Sequence, residues 1–324
     1  MRISSAVKWG AAAVLAVMAT AGTAQNFPVK PIRFIVGFPP GGAVDLIARG
    51  AAPGIGDALG TQVVVDNRAG ANGMIGAEMV ARAPADGYTI GLVSISSMVL
   101  NVVMHPNPPY QAKDFTPLST VGLVPFGLGV HPSVPARGMK EFIALAKTRP
   151  GRLTVGSPGV GSLQHLAIEM LNSTVGIKLQ HVPYKGTGPA LTDVLGGHID
   201  GLVTAISGVI GPSKAGKLPM IAVMSAQRSP ALPDVPTAEE QGLKNFQVVN
   251  WYAIVAPPNL PAPLTSALHG AIVKAVATPT VRDKLIVGGV DPKTDASAAA
   301  FAKFVSEEFT RWSKVVKESG VKLD

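Results

Sequence analysis

Short apolar runs alternate with longer, helix-periodic runs along most of this chain. IRFIV (32–36) leads into GGAVDLIARGAAPGIGDALG, TQVVVDN leads into GMIGAEMVARA, and YTIGLVS leads into SMVLNVVM. Farther on, LTVGS precedes SLQHLAIEMLNSTVG and LQHVPY precedes PALTDVLGGH, while IDGLVTA and MIAVMSA read as further strands. This βα alternation predicts an α/β fold with parallel or mixed sheets. In such sheets the functional loops lie beyond the C-terminal ends of the strands. Two stretches break the alternation: STVGLVPFGLGVHPS and FQVVNWYAIVAPPNLP are extended and apolar. A chain that leaves one domain and returns to it needs two such crossings. They predict a discontinuous first domain, residues 25–123 and 250–324, around a second domain, 124–249. The tail, from LTSALHGAIVKAVA through FAKFVSEEFTRWSKVVKESG, has helical periodicity and is expected to pack back on the first domain.

The first segment stands outside this pattern. Arg2 and Lys8 precede the apolar run WGAAAVLAVMATA, and small residues surround Ala24, with Ala21 as an alternative cleavage point. That is a secretory leader over residues 1–24, too short to serve as a membrane anchor. The mature protein is therefore expected to be soluble and periplasmic. The roughly 300 residues that remain suit two domains. The absence of cysteine rules out a disulfide-stapled scaffold and a thiolate-built zinc site. Loss of Arg2 and Lys8 with the leader lowers the net charge from +8 to +6. The basic residues are scattered and aromatics make up only 5% of the chain, so the charge reads as a mild attraction for acidic small ligands and not as a nucleic-acid surface.

Candidate chemistry concentrates in the loops that follow the strands. Pro39-Pro40-Gly41-Gly42 joins a strand to a helix. Proline fixes φ and glycine permits φ > 0, so the turn is either a plain connector or a cradle whose N–H groups meet an anion at the helix start. Phe38 either walls the pocket or belongs to the core, and Asp45 is expected to cap its own helix. SPGVGSLQH is a second glycine-rich turn, in which Ser157, Gly159, Gly161 and Ser162 offer hydroxyl and backbone donors. Ser162 also reads as an N-cap. Ser94, Ser96 and Ser97 follow a strand and should place at least one hydroxyl in the cleft. Tyr184 and Lys185 either reach a ligand or lock the second domain, with Lys185 expected in a salt bridge. His165 and Glu169 stand at i, i+4 as a surface or helix-stabilising pair, with no further ligand to complete a metal site. Neither a G-x-G-x-x-G nor a Walker loop is present, so no nucleotide or other cofactor is indicated. Ser157, His165 and Asp193 would be the members of an exported serine-type hydrolase, the alternative function, although no G-x-S-x-G elbow supports it.

Six blocks carry a family resemblance: FPVKPIRFIVGFPPGGAVDLIAR, VVVDNRAGANGMIGAEMVARAPADGYTI, LAKTRPGRLTVGSPGVGSLQHLAIEML, HVPYKGTGPALTDVLGGHID, RSPALPDVPTAEEQGL and RWSKVVKESGVKL. The chain resembles the Bug-type extracytoplasmic solute receptors associated with tripartite tricarboxylate transporters, in order and over nearly all of its mature length. The resemblance implies a two-domain, type II periplasmic-binding-protein fold that closes on a small carboxylate, with a membrane transporter or sensor as partner. It also implies that backbone groups of two facing loops, here Phe38–Gly42 and Ser157–Ser162, hold one carboxylate, with ordered waters bridging to the first domain. In IDGLVTAIS, Thr204 stands where many members carry an acid, so a ligand that needs an ammonium partner is disfavoured. An uncharged or second-carboxylate distal group is favoured instead. The expected ligand-binding set is Phe38, Gly41, Gly42, Ser94, Ser97, Ser157, Gly159, Gly161, Ser162, Tyr184 and Thr204, in a monomer without metal.

Overall fold

A computed structural model describes residues 27–41, 43–287 and 289–321; the expected leader and the candidate donor Gly42 lie outside them. In chain order the strands are β1 (Ile32–Val36), β2 (Val63–Asn67), β3 (Thr89–Ser94), β4 (Thr116–Val130) and β5 (Thr154–Ser157). They continue with β6 (Gln180–Pro183), β7 (Gly201–Ala205), β8 (Met220–Val223), β9 (Val249–Ala256) and β10 (Asp291–Pro292). The main path of the sheet runs β2-β1-β3-β9-β4-β7-β5-β6, with β8 and β10 also paired to β4. The strands read from the sequence all form, and the two long apolar stretches become β4 and β9 at the centre.

Strand direction positions the site. β1, β2 and β3 are parallel. β9 is antiparallel to β3, and β4 is antiparallel to β9, so β4 runs with the first triplet. β7 is antiparallel to β4, and β5 and β6 run with β7. β4 pairs with β9 from Thr116 to Pro125 and with β7 from Phe126 to Val130, passing from one triplet to the other. The C-terminal ends of β1–β3 therefore point toward the second triplet, and those of β5–β7 point back toward the first. Through the pairings, Ser94 lies level with Gly122 of β4, and Thr204 lies level with Gly127. At about 3.3 Å per residue, roughly 16 Å of β4 separates the two sets of loops.

Ten helices flank this sheet among the described residues: α1 (Ala43–Leu59), α2 (Met74–Ala81), α3 (Asn101–Met104), α4 (Met139–Thr148) and α5 (Leu163–Val175), then α6 (Thr187–Leu195), α7 (Ile210–Lys214), α8 (Ala262–Ala277), α9 (Pro279–Val287) and α10 (Ala298–Ser319). Val44, Ile47, Ala48, Ala51, Ala52 and Ile55 of α1 recur at helical spacing and are buried with Leu268 and Ile272 of α8 against β1 and β3. On the other face, α2, α5 and α10 share a core with Trp251 of β9.

The tail departs from expectation in one respect. α8 and α9 pack on α1 in the first half, but α10 lies against β4, α3 and α5 and so reaches the second half as well. Its buried stripe explains this. Phe301, Val305, Glu308 and Trp312 face inward, and the Glu308 carboxylate accepts from the indoles of Trp251 (3.0 Å) and Trp312 (3.2 Å). Arg311 then donates to the carbonyl of Gln247, just before β9.

Candidate functional site

The second glycine-rich turn is the better defined of the two. β5 ends at Ser157, and α5 begins at Leu163 behind Ser162 in extended conformation. Ser162 Oγ accepts from His165 N (3.1 Å) and donates to the Gly159 carbonyl (2.7 Å), so Ser162 is the N-cap that its position predicts. Gly161 N–H is taken by His165 Nδ1 at 3.2 Å. The N–H groups of Leu163 and Gln164 in the first turn have no protein acceptor among the described residues. The start of α6 lies beside this turn, through a hydrogen bond of 2.9 Å from Gly186 N to the Pro158 carbonyl.

Ser157 is completely buried, and its hydroxyl meets His181 Nε2 at 2.6 Å. His181 stacks on His165 with ring centroids 3.8 Å apart. Burial, and then the neighbouring His165, push the His181 pKa down to about 4. Burial also lowers that of His165, against the opposing pull of Glu169. His165 is thus a buried member of a neutral imidazole stack, whereas the sequence reading placed it in a surface or helix-stabilising pair. Its Glu169 contact is a loose 3.8 Å. The imagined hydrolase set is not assembled. Ser157 bonds His181, His165 accepts from Gly161, and Asp193 accepts from the Tyr184 hydroxyl at 2.7 Å. Burial and Asp193 together push the Tyr184 pKa up to about 12. Lys185, expected in a salt bridge, is exposed and makes none among the described residues.

Across the junction, Gly41 has φ 80° and its N–H donates to Asp45 Oδ2 at 2.9 Å. Asp45 also accepts from Arg49 and from Asn67, and it is 2% exposed. Burial favours the neutral acid, but these hydrogen bonds outweigh it and hold the carboxyl below its ordinary range. Asp45 therefore caps its own helix as expected, and in doing so it occupies the Gly41 N–H. Ser94 and Ser97 are both buried and bond each other at the end of β3: Ser97 Oγ accepts from Ser94 N (2.9 Å) and donates to Ser94 O (3.2 Å). Tyr110 holds the turn by donating to the Ser97 carbonyl. Thr204 is 1% exposed on β7.

Two components escape a residue-by-residue reading. One is His181. The other is the turn Gly70–Gly73 after β2, where four consecutive residues, including Ala71 (φ 46°) and Asn72 (φ 51°), have positive φ. Asn101 Nδ2 clamps this turn through the carbonyls of Ala71 (3.4 Å) and Asn72 (3.2 Å). A Cβ on Gly73 would lie 2.8 Å from the Phe38 ring and 3.1 Å from Ser97 Cβ. Phe38, Gly73 and Ser97 are therefore one packed unit at the ends of β1, β2 and β3. The clue in the sequence was the GANG run; backbone strain of this kind collects at functional sites.

Two parallel triplets joined by crossing strands, with their loop-bearing ends turned toward each other, make a two-lobed solute receptor. The chain belongs to the tripartite tricarboxylate transporter receptor family, TctC, whose family model matches residues 47–321. It is 36% identical to protein BugT of Bordetella pertussis over 94% of this chain and 96% of that one. Among solved structures, MatC from Rhodopseudomonas palustris with bound malate is 30% identical, covers 90% of this chain and 100% of its own, and superposes with a TM-score of 0.72. The R. palustris protein Rpa4515 with adipate is also 30% identical, covers 91% and 99%, and gives 0.76. The fold is accordingly that of the two-domain periplasmic binding proteins.

Proposed function

We propose that this protein is a periplasmic receptor that captures a small carboxylate between its two lobes and presents it, chemically unchanged, to a membrane transporter or sensor. The observation that carries this reading is the convergence of two sets of strand-end loops across the middle of β4. One set offers the unpaired N–H groups of Leu163 and Gln164 at the positive end of a 13-residue helix. Ser157, Gly159, Gly161 and Ser162 shape that jaw, with Tyr184 and Thr204 beside it; Phe38, Gly41, Ser94 and Ser97 shape the other. Because Asp45 already holds the Gly41 N–H, the first lobe contributes mainly shape and water-bridged contacts. The malate and adipate bound by relatives agree with this ligand class. The described residues contain no group of three or more His, Cys, Asp or Glu placed to hold a metal ion.

The lobes comprise residues 25–123 with 250–324, and 124–249. β4 near Pro125–Phe126 and the segment entering β9 are the hinge, since hinges absorb rotation at a few residues while each lobe moves as a unit. The receptor is a monomer. Isothermal titration against a panel of carboxylates, with solution scattering on any ligand found, tests this reading. A stoichiometric, unconsumed ligand that reduces the radius of gyration is expected. The reading fails if no carboxylate binds or if a bound ester or amide is hydrolysed.

A further inference from the structure

Between β5 and α5 some backbone amides are spent and others are free. Pro158 has no N–H to offer. Gly159 N–H is accepted by Ser157 Oγ at 3.2 Å, Gly161 N–H by His165 Nδ1 at 3.2 Å, and Ser162 N–H by the Gly159 carbonyl at 3.3 Å. The amides of Val160, Leu163 and Gln164 have no protein acceptor among the described residues. Gly159 (φ 153°) and Gly161 (φ 73°) hold backbone conformations that other residues rarely adopt. Glycine also loses the most conformational freedom on ordering, so this division of amides needs an anchor.

Two stacked imidazoles supply one. His165 is the third residue of α5; its amide donates to Ser162 Oγ at 3.1 Å, while its ring accepts from Gly161, just before that cap. The reciprocal pair resembles a capping box moved back by one residue. An imidazole accepts only at an unprotonated nitrogen, so the bond places the His165 proton on Nε2. His181 lies against this ring, with centroids 3.8 Å apart and planes 11° apart. Its Nε2 meets Ser157 Oγ at 2.6 Å, the same oxygen that accepts from Gly159. One stack therefore reaches both glycines of the turn.

We propose that His165, steadied by His181, is the positioning residue of the carboxylate clamp: by occupying the Gly161 N–H it sets the turn so that the amides of Val160, Leu163 and Gln164 are left for one carboxylate. This rests on the carboxylate-receptor reading above. His165 acts through Gly161 and not on the ligand. A turn pre-set by side chains binds an anion without first being ordered by it, and that saving appears as affinity.

Two variants separate positioning from packing. His165→Phe keeps a flat ring in the stack and removes the acceptor, whereas His165→Asn returns an acceptor near the Nδ1 position. Amide hydrogen exchange read by NMR, urea denaturation, and isothermal titration with malate and hexanedioate, or with whichever carboxylate binds the native protein, are compared across the set. Gly161 should exchange about tenfold faster in His165→Phe, and carboxylate affinity should fall about tenfold, the net worth of one hydrogen bond. His165→Asn should stay close to the native protein in both. Urea midpoints show which variants are folded, and His165→Gln, whose amide reaches the Nε2 position instead, replaces His165→Phe if that variant does not fold. A residue that only fills the core would lower stability and leave both Gly161 exchange and affinity unchanged. The assignment is overturned if Gly161 exchange does not rise on loss of the acceptor, or if His165→Asn binds no better than the acceptor-free variant; the receptor reading survives either result. If no carboxylate binds the native protein, the receptor reading fails and the positioning role with it.

Discussion

Gly73→Ala tests whether the first lobe's loops are one packed unit. Two costs are expected. Alanine at φ 87° enters the left-handed region, which disfavours a Cβ by about 1–2 kcal/mol. The new methyl would also lie 2.8 and 3.0 Å from the Phe38 ring and 3.1 Å from Ser97 Cβ, well inside ordinary carbon contact. Overpacking of that kind costs about 1–3 kcal/mol. The sum is roughly 2–5 kcal/mol. Gly41→Ala is the internal control: φ is 80°, nothing lies within 4 Å of its Cβ, and only the conformational cost of about 1–2 kcal/mol applies. Urea denaturation of both variants, alone and in a Phe38→Ala background, separates the two terms as a double-mutant cycle. The excess cost of Gly73→Ala should shrink once the ring is gone. Equal destabilisation by the two substitutions, or an excess that is undiminished without Phe38, would refute the packed unit.

Three further outcomes follow from particular contacts. Glu308→Ala leaves the indole donors of Trp251 and Trp312 unpaired in the core, at about 1–3 kcal/mol each, while Glu308→Gln keeps an acceptor and should cost less. These are the only tryptophans among the described residues, so intrinsic fluorescence reads the transition directly, and equal effects of Ala and Gln would count against the bonds. Ser162→Ala should cost about 1 kcal/mol through loss of the cap, and should also weaken ligand binding because Gly159 loses its tether; intact binding would remove this turn from the site. Finally, His181 has a folded pKa of about 4 against an ordinary 6.5, so the unfolded chain binds the extra proton between those values. Stability should be level above about pH 6.5 and should fall as pH drops toward 4, and His181→Gln should flatten that slope in urea midpoints measured across the range; an unchanged slope would show that the imidazole is not held neutral.

Much of this layout was legible because each element carries a local signal. The stripe from Val44 to Ile55 marks α1 as a helix with one buried face, and the proline-rich apolar stretches mark β4 and β9 as crossings. Ser162 and Asp45 could be read as caps because a cap acts within its own helix turn. What stayed hidden depends on partners distant in the chain. His181 lies 24 residues from Ser157 and becomes significant only when β6 is set beside β5. The stripe on α10 states that Phe301 and Trp312 are buried, but not that they bridge to the second half through α5. Lys185 suggests a salt bridge by its charge alone, yet it is exposed and makes none among the described residues, while Asp193 accepts from the Tyr184 hydroxyl.

The same distinction bears on how a carboxylate would be held. The run Pro39–Gly42 reads as an anion cradle because its N–H groups ought to be free, and the fold shows that one of them is committed to Asp45. A negative charge already sits at the N-terminus of α1, so a second anion there gains less from the helix dipole and is repelled by the first. At α5 the cap is a neutral hydroxyl and the neighbouring imidazoles are uncharged, so the positive end of the helix remains available. The two glycine-rich turns look equivalent along the chain but differ electrostatically. The carboxylate should therefore be anchored by the second lobe and only enclosed by the first. Replacing Asp45 by Asn tests this asymmetry: removing the competing charge should strengthen carboxylate binding, or leave it unchanged, provided that the amide keeps the cap. A large loss of affinity in a variant of normal stability would show that the first lobe holds the charge after all.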